Sequence, residues 1–338
     1  MKFIHLADCH IGDGLSFNRS LSNMIRQNKK SSFENILQNN KDIDFLLIAG
    51  DLYERSYFTL SDYKELFSKI YDFGKDIFYV AGNHDYISDK NDIIKSLKPD
   101  NLHIFSTKEL EYYELGNTRI YGISYDDRIF DKDFPYDLIL DEDFFNILLV
   151  HASINDNKSN YLNLSLEKIK EMNFDYVGLG HIHKWEDLGS NIFYSGSIEP
   201  SDFSDIYDYG YILYDDGNIN HKNRSIMKFY DVNINFDDFE NEDHMISYLK
   251  NKLDNSKENY LRLRIDKKIN SKKFKERLNL EYLEISLVDN KSIFDLKDLY
   301  PNSLISRYID KFPKDDLNPK EELALKLGID AIYRSKDE

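Results

Sequence analysis

The chain has 338 residues, 41% hydrophobic and 31% charged, with a formal net charge of −17. That is ordinary for a globular protein with room for one large domain and a smaller one, but too acidic for a protein that coats nucleic acid over its whole surface. Its apolar runs are far too short to span a bilayer, MKFIHLADCH lacks the pattern of a secretory leader, and the single cysteine, Cys9, excludes an internal disulfide, so the expected setting is the cytoplasm.

In chain order, the apolar runs at 2–7 (KFIHLA) and 44–50 (DFLLIAG) read as buried strands. An amphipathic helix follows at 60–73 and another strand at 76–81. Residues 102–105, 110–115 and 118–125 have the look of hairpin strands, with a turn at Gly116-Asn117. Strands are expected again at 144–150, 174–179 and 191–195, and hairpin-like strands at 209–214 and 226–235. This alternation predicts an α/β fold, two sheets packed together with helices outside. Past residue 225 the pattern changes. A helix at 243–253, a strand at 260–266 with Leu261, Leu263 and Ile265 on one face, a basic helix at 271–279 and a strand at 282–288 form a small second α/β unit. The last forty residues read as helical, with Asn318, Pro319 and Glu321 as N-cap, first-turn proline and capping-box acid. The expected division is 1–225, 226–290 and 291–338.

Five of these strands end in residues able to hold a metal. Asp8 and His10 follow the first, Gly50 and Asp51 the second, Gly82-Asn83-His84-Asp85 the third, His151 a fourth, and Gly180-His181-Ile182-His183 a fifth. Ligand sites in open α/β sheets lie at the carboxyl ends of strands. Carboxylate, imidazole and amide oxygen donors suit Mn²⁺, Fe²⁺ or Zn²⁺, and the lack of thiolates argues against a structural zinc site. Each motif alone is weak, since one His-X-His pair among nine histidines is unremarkable. Their order, each at a strand end, is not. His5 and His103 lie within strand-like runs and read as core or edge residues; His221 and His244 fall outside the pattern.

The set DxH, GD, GNHD, H and GHxH, intact over residues 3–184, resembles the signature of the calcineurin-like metallophosphoesterase superfamily. LADCHIG (6–12), GDLY (50–53) and YSGSIEPSDF (194–203) are similar to its DNA-repair exonuclease branch, of SbcD and YhaO type. The resemblance implies a two-sheet sandwich flanked by helices, a small capping domain at 226–290 and a helical tail. It implies one metal held by Asp8, His10, Asp51 and His183 and another by Asp51, Asn83, His151 and His181, with Mn²⁺ the expected ion. His84 would face the substrate as acid or transition-state stabiliser, with Asp85 fixing its tautomer. The activity implied is phosphodiester hydrolysis, as a DNA exonuclease or endonuclease subunit working with an SbcC-like coiled-coil ABC ATPase, and dimers are common among such relatives. One departure stands out: archaeal and eukaryotic members usually carry a second histidine three residues after the bridging aspartate, and here Glu54 occupies that place.

The segment RLRIDKKINSKKFKER (262–277) holds eight Lys or Arg against two acids. Arg262, Arg264, Lys267, Lys268, Lys272 and Lys273 are therefore candidate DNA contacts, the alternative being a solvated basic face. A small-molecule phosphodiesterase or phosphatase would share every metal ligand. The tail, with Leu304, Ile305, Tyr308, Leu323, Leu327 and Ala331 at helical spacing, is expected either to dock the ATPase or to pack on the capping unit.

Overall fold

A computed structural model describes residues 1–14, 19–88, 92–156, 160–204, 206–288, 303–313 and 317–334. The strands of its two large sheets, in chain order, are β1 (Lys2–Leu6), β2 (Phe45–Ala49), β3 (Asp76–Val80), β4 (Leu102–Ile104), β5 (Glu111–Leu115), β6 (Thr118–Gly122), β7 (Phe145–His151), β10 (Tyr176–Gly180), β11 (Glu186–Asp187), β12 (Ile192–Tyr194), β13 (Gly210–Asp215) and β14 (Asn218–Asn223); β8 (Ser153–Ile154) and β9 (Asn163–Leu164) form a small parallel pair beside them. One sheet runs β14-β13-β1-β2-β3-β4 and the other β11-β12-β10-β7-β6-β5. The central strands β1, β2 and β3 are mutually parallel, as are β6, β7, β10 and β12. Their near-continuous burial explains why they read as solid apolar runs rather than alternating ones.

The sheets face each other across Phe3, Phe45, Leu47, Phe78, Val80, Ile147, Leu149 and Tyr176. Helices α1 (Arg19–Asn39) and α2 (Leu60–Phe73) cover the outer face of the first sheet, through Phe33, Ile36, Leu66 and Ile70. Helix α2 starts at a reciprocal Thr59–Asp62 capping box and stops at Gly74, which takes the left-handed conformation at φ 72°. The expected two-sheet α/β architecture is what the structure has.

Two pairings differ from expectation. Leu102–Ile104 is not part of a hairpin; it extends the first sheet beside β3, in parallel, and only β5 and β6 form the hairpin around Gly116. The strand at the 226–235 region, β15 (Met227–Ile234), joins no hairpin either. It pairs in parallel with β16 (Glu258–Ile265), which pairs in parallel with β17 (Tyr282–Leu287). Parallel neighbours need crossovers, supplied by helices α5 (Glu242–Lys252) and α6 (Ser271–Leu278), after α3 (Asp92–Leu97) and α4 (Leu166–Glu171) in the main body. This three-stranded unit has its own core of Met245, Leu249, Leu261, Leu263, Phe274 and Leu278. The expected boundary at residue 290 lies outside the described residues.

Contacts around α1 and around Glu199 help fasten the unit to the main body. Leu21 and Ile25 of α1 pack with Phe203, Met227, Phe229 and Tyr260. Beside them the buried Glu199 carboxylate accepts hydrogen bonds from the Ser32 hydroxyl of α1 and from the backbone amides of Ile226, at 2.5 Å, and Met227, at 3.0 Å. In the tail, α7 (Leu304–Ile309) and α8 (Pro319–Arg334) bury Ile305, Ile309, Leu325 and Ile329 against each other, and the Asn318–Glu321 capping box forms as expected. Leu304, Leu323 and Leu327 stay exposed.

Burial pushes the Glu199 carboxyl up to about 7 from an ordinary 4.5. The folded protein therefore holds this proton more tightly than the unfolded chain does, and the resulting stability is present below about pH 4.5 and lost as pH rises through about 7. Thermal melts across that range should show Glu199→Gln with a smaller pH slope than wild type. Glu199→Ala, which strands buried amides, should lose about 1–3 kcal/mol.

Candidate metal centre

The ends of β1, β2, β3, β7 and β10 converge at one edge of the sandwich. They deliver Asp8 and His10, Asp51, Asn83 and His84, His151, and His181 and His183. Close approach depends on missing side chains: a Cβ at Gly82 would collide with the Asp51 carboxylate, and one at Gly180 with the Ala49 carbonyl. The backbone bends hard here. Asp8, His10, Asp51 and His181 have φ of 51°, 43°, 52° and 95°, in the left-handed region that L-residues avoid. Such conformations persist where surrounding bonds over-determine them, and they cluster at functional sites.

The donors fall into overlapping groups whose ligand atoms lie within 4.8 Å of one another: Asp8, His10 and His183; His10, Asp51 and His84; Asp8, Asp51 and His151. His10 Nε2 and His183 Nε2 are 3.3 Å apart, close to the separation of about 3.0–3.4 Å between two nitrogens bound at ~2.1 Å to one ion. His151 Nδ1 lies 2.9 Å from the Ala49 carbonyl, to which it donates. That bond turns Nε2 toward Asp51, at 3.3 Å, and toward the Asn83 amide oxygen, at 3.0 Å. Holding an imidazole by its outer nitrogen is a common support for a metal-binding histidine. His181 stacks edge-on to His151 at 5.2 Å between ring centroids, and its backbone amide donates to Asp8.

The electrostatics suit a cation. Burial opposes ionisation of Asp51, yet His151, then His10 and His84, hold its carboxyl well below the usual range. Asp8 is raised to about 6 by burial, and His151 to about 9, because Asp51 and Asp8 outweigh its own burial. Burial lowers His10 strongly and His181 to about 4, leaving both neutral with lone pairs free to coordinate. Two fully buried carboxylates this close need positive charge between them. Carboxylate, imidazole and amide oxygens converging without a thiolate fit a pair of hard or borderline divalent ions.

His84 stands apart from the buried donors. Its side chain is 44% exposed and faces an open pocket of about 490 Å³ that His10, Asn83 and His183 also line. Its partner is not the one expected. Asp85 is fully buried and accepts hydrogen bonds from the backbone amides of Asp51 (3.2 Å), Leu52 (2.5 Å) and Gly82 (2.6 Å) and from the Tyr79 hydroxyl (2.6 Å). With its oxygens engaged there, it cannot aim the His84 ring. Glu54 does so instead: its Oε2 lies 2.6 Å from His84 Nδ1, while Oε1 accepts the Ser56 amide. The bond to Glu54 raises the His84 pKa above its ordinary value. The substitution that marked this chain as a departure is thus the group that orients the exposed histidine.

The candidate DNA contacts lie elsewhere. Arg262 pairs with Glu284 at 3.3 Å and stacks on Phe203, Arg264 pairs with Asp231 at 2.8 Å, and Lys267 covers the Phe236 ring. Lys268, Lys272 and Lys273 are exposed on the three-stranded unit, and none of the six lines the metal-site pocket. Sequence reasoning passed over Asp13, Ser56, Tyr57, Arg128, Tyr161 and Ser201, which do line it. Asp13, close behind the first motif, and Ser201, inside the 194–203 segment, offered a sequence signal; the others did not.

Residues 1–185 match the model of the calcineurin-like phosphoesterase family. The chain belongs to this family. It is accordingly a metal-dependent phosphoester hydrolase; the family uses a dimetal centre, and the Asp/His groups described above could hold metal. No curated protein matches the chain. Among solved structures it is similar to the crystal structure of TT1561 of Thermus thermophilus, at 12% identity and a TM-score of 0.37, over 58% of this chain and 89% of that one. A likeness that distant carries no weight for function. No helix among the described residues is long and apolar enough to cross a membrane.

Metal analysis of purified Asp51→Asn should show a marked loss of bound metal relative to wild type, since Asp51 sits in two of the three donor groups. Glu54→Gln should lower the His84 pKa, so that the alkaline limb of a pH–rate profile moves to lower pH, with kcat down by at least ~10-fold. An unmoved limb would show that the Glu54–His84 bond does not tune the reaction.

Proposed function

We propose that this phosphoesterase is a phosphodiesterase acting on DNA, a nuclease subunit that works with a coiled-coil ABC ATPase. The observation that carries the reading is the pocket over the metal donors. It is open, about 490 Å³, and has the His84 ring, the Tyr57 ring and the Arg128 guanidinium along its wall. A chain with a phosphate at its centre can cross such a site, and exposed aromatic and guanidinium groups are what strand recognition uses. The segment 194–203 supports the same branch, because its Glu199 anchors the three-stranded unit beside the catalytic body.

Asp8, His10, Asp51 and His183 are suited to hold one divalent ion, and Asp51, Asn83, His151 and His181 a second, with Mn²⁺ the proposed metal. When bound, such ions supply Lewis acidity and neutralise phosphate charge. The protein's own groups do the rest. The buried carboxylates and imidazoles would hold the ions in place beside the pocket. His84, kept protonated to higher pH by Glu54, is placed to donate a hydrogen bond or a proton to an oxygen on which charge develops.

The exposed leucines of the tail hairpin, Leu304, Leu323 and Leu327, support docking of a helical partner such as the ATPase coiled coil. The exposed lysines Lys268, Lys272 and Lys273 support a supplementary DNA contact away from the catalytic pocket, and a homodimer is part of the same reading.

The discriminating experiment compares Mn²⁺-dependent cleavage of single- and double-stranded DNA with hydrolysis of nitrophenyl phosphate mono- and diesters. Cleavage of DNA by wild type, lost by at least ~100-fold in His84→Ala with metal content retained, is the expected result. Hydrolysis of the small esters without DNA cleavage would assign the protein to small-molecule substrates.

A further inference from the structure

The charges around the pocket do not balance evenly. Two carboxylates line it besides the metal donors, and both are already matched: Asp13 by the buried Lys29 ammonium at 3.1 Å, and Glu54 by His84. Among the described residues that line it, Arg128 is the only lysine or arginine. It has no carboxylate partner among the described residues, because neighbouring Asp126 is taken by Lys132 at 2.6 Å and Asp127 accepts Arg128's own backbone amide at 2.6 Å. The guanidinium makes one long hydrogen bond, 3.4 Å, to the Ser56 hydroxyl.

That bond also locates Arg128. Ser56 donates its amide to Glu54 Oε1, and Glu54 Oε2 holds His84. Arg128, Ser56, Glu54 and His84, all lining the pocket, are therefore linked contact by contact, with His84 the member of the series that belongs to a metal-donor group. A phosphate bound beside His84 would occupy one end of this series. The other end presents a planar, unpaired cation with a hydroxyl beside it, a good receptor for a second phosphate.

We propose that Arg128, with Ser56, is a specificity-determining subsite for a second, non-scissile phosphate of the substrate, one unit along the chain on the His84 side. The inference rests on the phosphodiesterase reading above and narrows it to substrates with at least two phosphates. It disfavours simple monoesters and isolated diesters, which leave the guanidinium unused.

The test is equilibrium binding rather than turnover. Titration calorimetry of the Mn²⁺-loaded protein at low salt would compare thymidine 5′-monophosphate with thymidine 3′,5′-bisphosphate. Wild type should bind the bisphosphate about 10-fold more tightly, the worth of one charge-assisted hydrogen-bonded contact. Arg128→Gln should bring that ratio to about one, and Arg128→Lys should keep part of it. Arg128 is exposed, so the variants should fold, and their melting temperatures check this. A wild-type ratio near one, or an undiminished ratio in Arg128→Gln, overturns the proposal. DNA cleavage by wild type is scored separately: bisphosphate preference without DNA cleavage keeps the subsite and refutes the nuclease reading, and cleavage without the preference does the reverse.

Discussion

The site depends on a carboxylate that binds neither metal nor substrate. Asp85 receives three backbone amides and a tyrosine hydroxyl, and two of those amides belong to the turn after β2 while a third begins the turn after β3. It ties two neighbouring strand ends into one rigid corner. The bond to its amide helps hold Asp51 in its left-handed backbone, and Asn83 and His84 follow Gly82 from the other side of the same corner. Burial and the nearby Asp51 charge push the Asp85 pKa up to about 7, while its four donors stabilise the ionised form. The corner is thus sensitive to whatever neutralises Asp51.

From this corner the division of labour follows. Deeply buried groups, His10, His151 and the two aspartates, are held by backbone carbonyls, amides and one another. The half-exposed His84 is held by Glu54, which itself sits over the amide of Ser56. The inner donors have their positions set by the fold. The outer histidine is set by a single side chain, so it is the part of the site most easily retuned by one substitution.

The gathering of candidate donors could be read from sequence because parallel sheets place ligands at strand ends and the donors are few in kind. Asp8, His10, Asp51, Asn83, His151, His181 and His183 all arrive at one edge. The partner of His84 could not be read, because adjacency in the chain favoured Asp85 and only the turn geometry turns Asp85 inward. Helix α1 escaped notice because RSLSNMIRQNKKSSFENILQN is largely polar. Several of its polar residues are nonetheless enclosed, Lys29 by Asp13 and Ser32 by Glu199. The parallel pairing of β15 was hidden for another reason: local pattern identifies a strand but not its partner, which here lies some thirty residues away.

Helix α1 also works as a mechanical link. On one side Arg26 donates to the Gly12 carbonyl at 2.9 Å and Lys29 holds Asp13, gripping the loop that begins at His10. On the other, Leu21, Ile25 and Asn28 grip the three-stranded unit, Asn28 through Glu258 at 2.5 Å. The helix thus joins the loop that carries His10 to the appended sheet through one continuous element, and whatever coupling a partner on the sheet had to metal held at His10 would be equal in both directions.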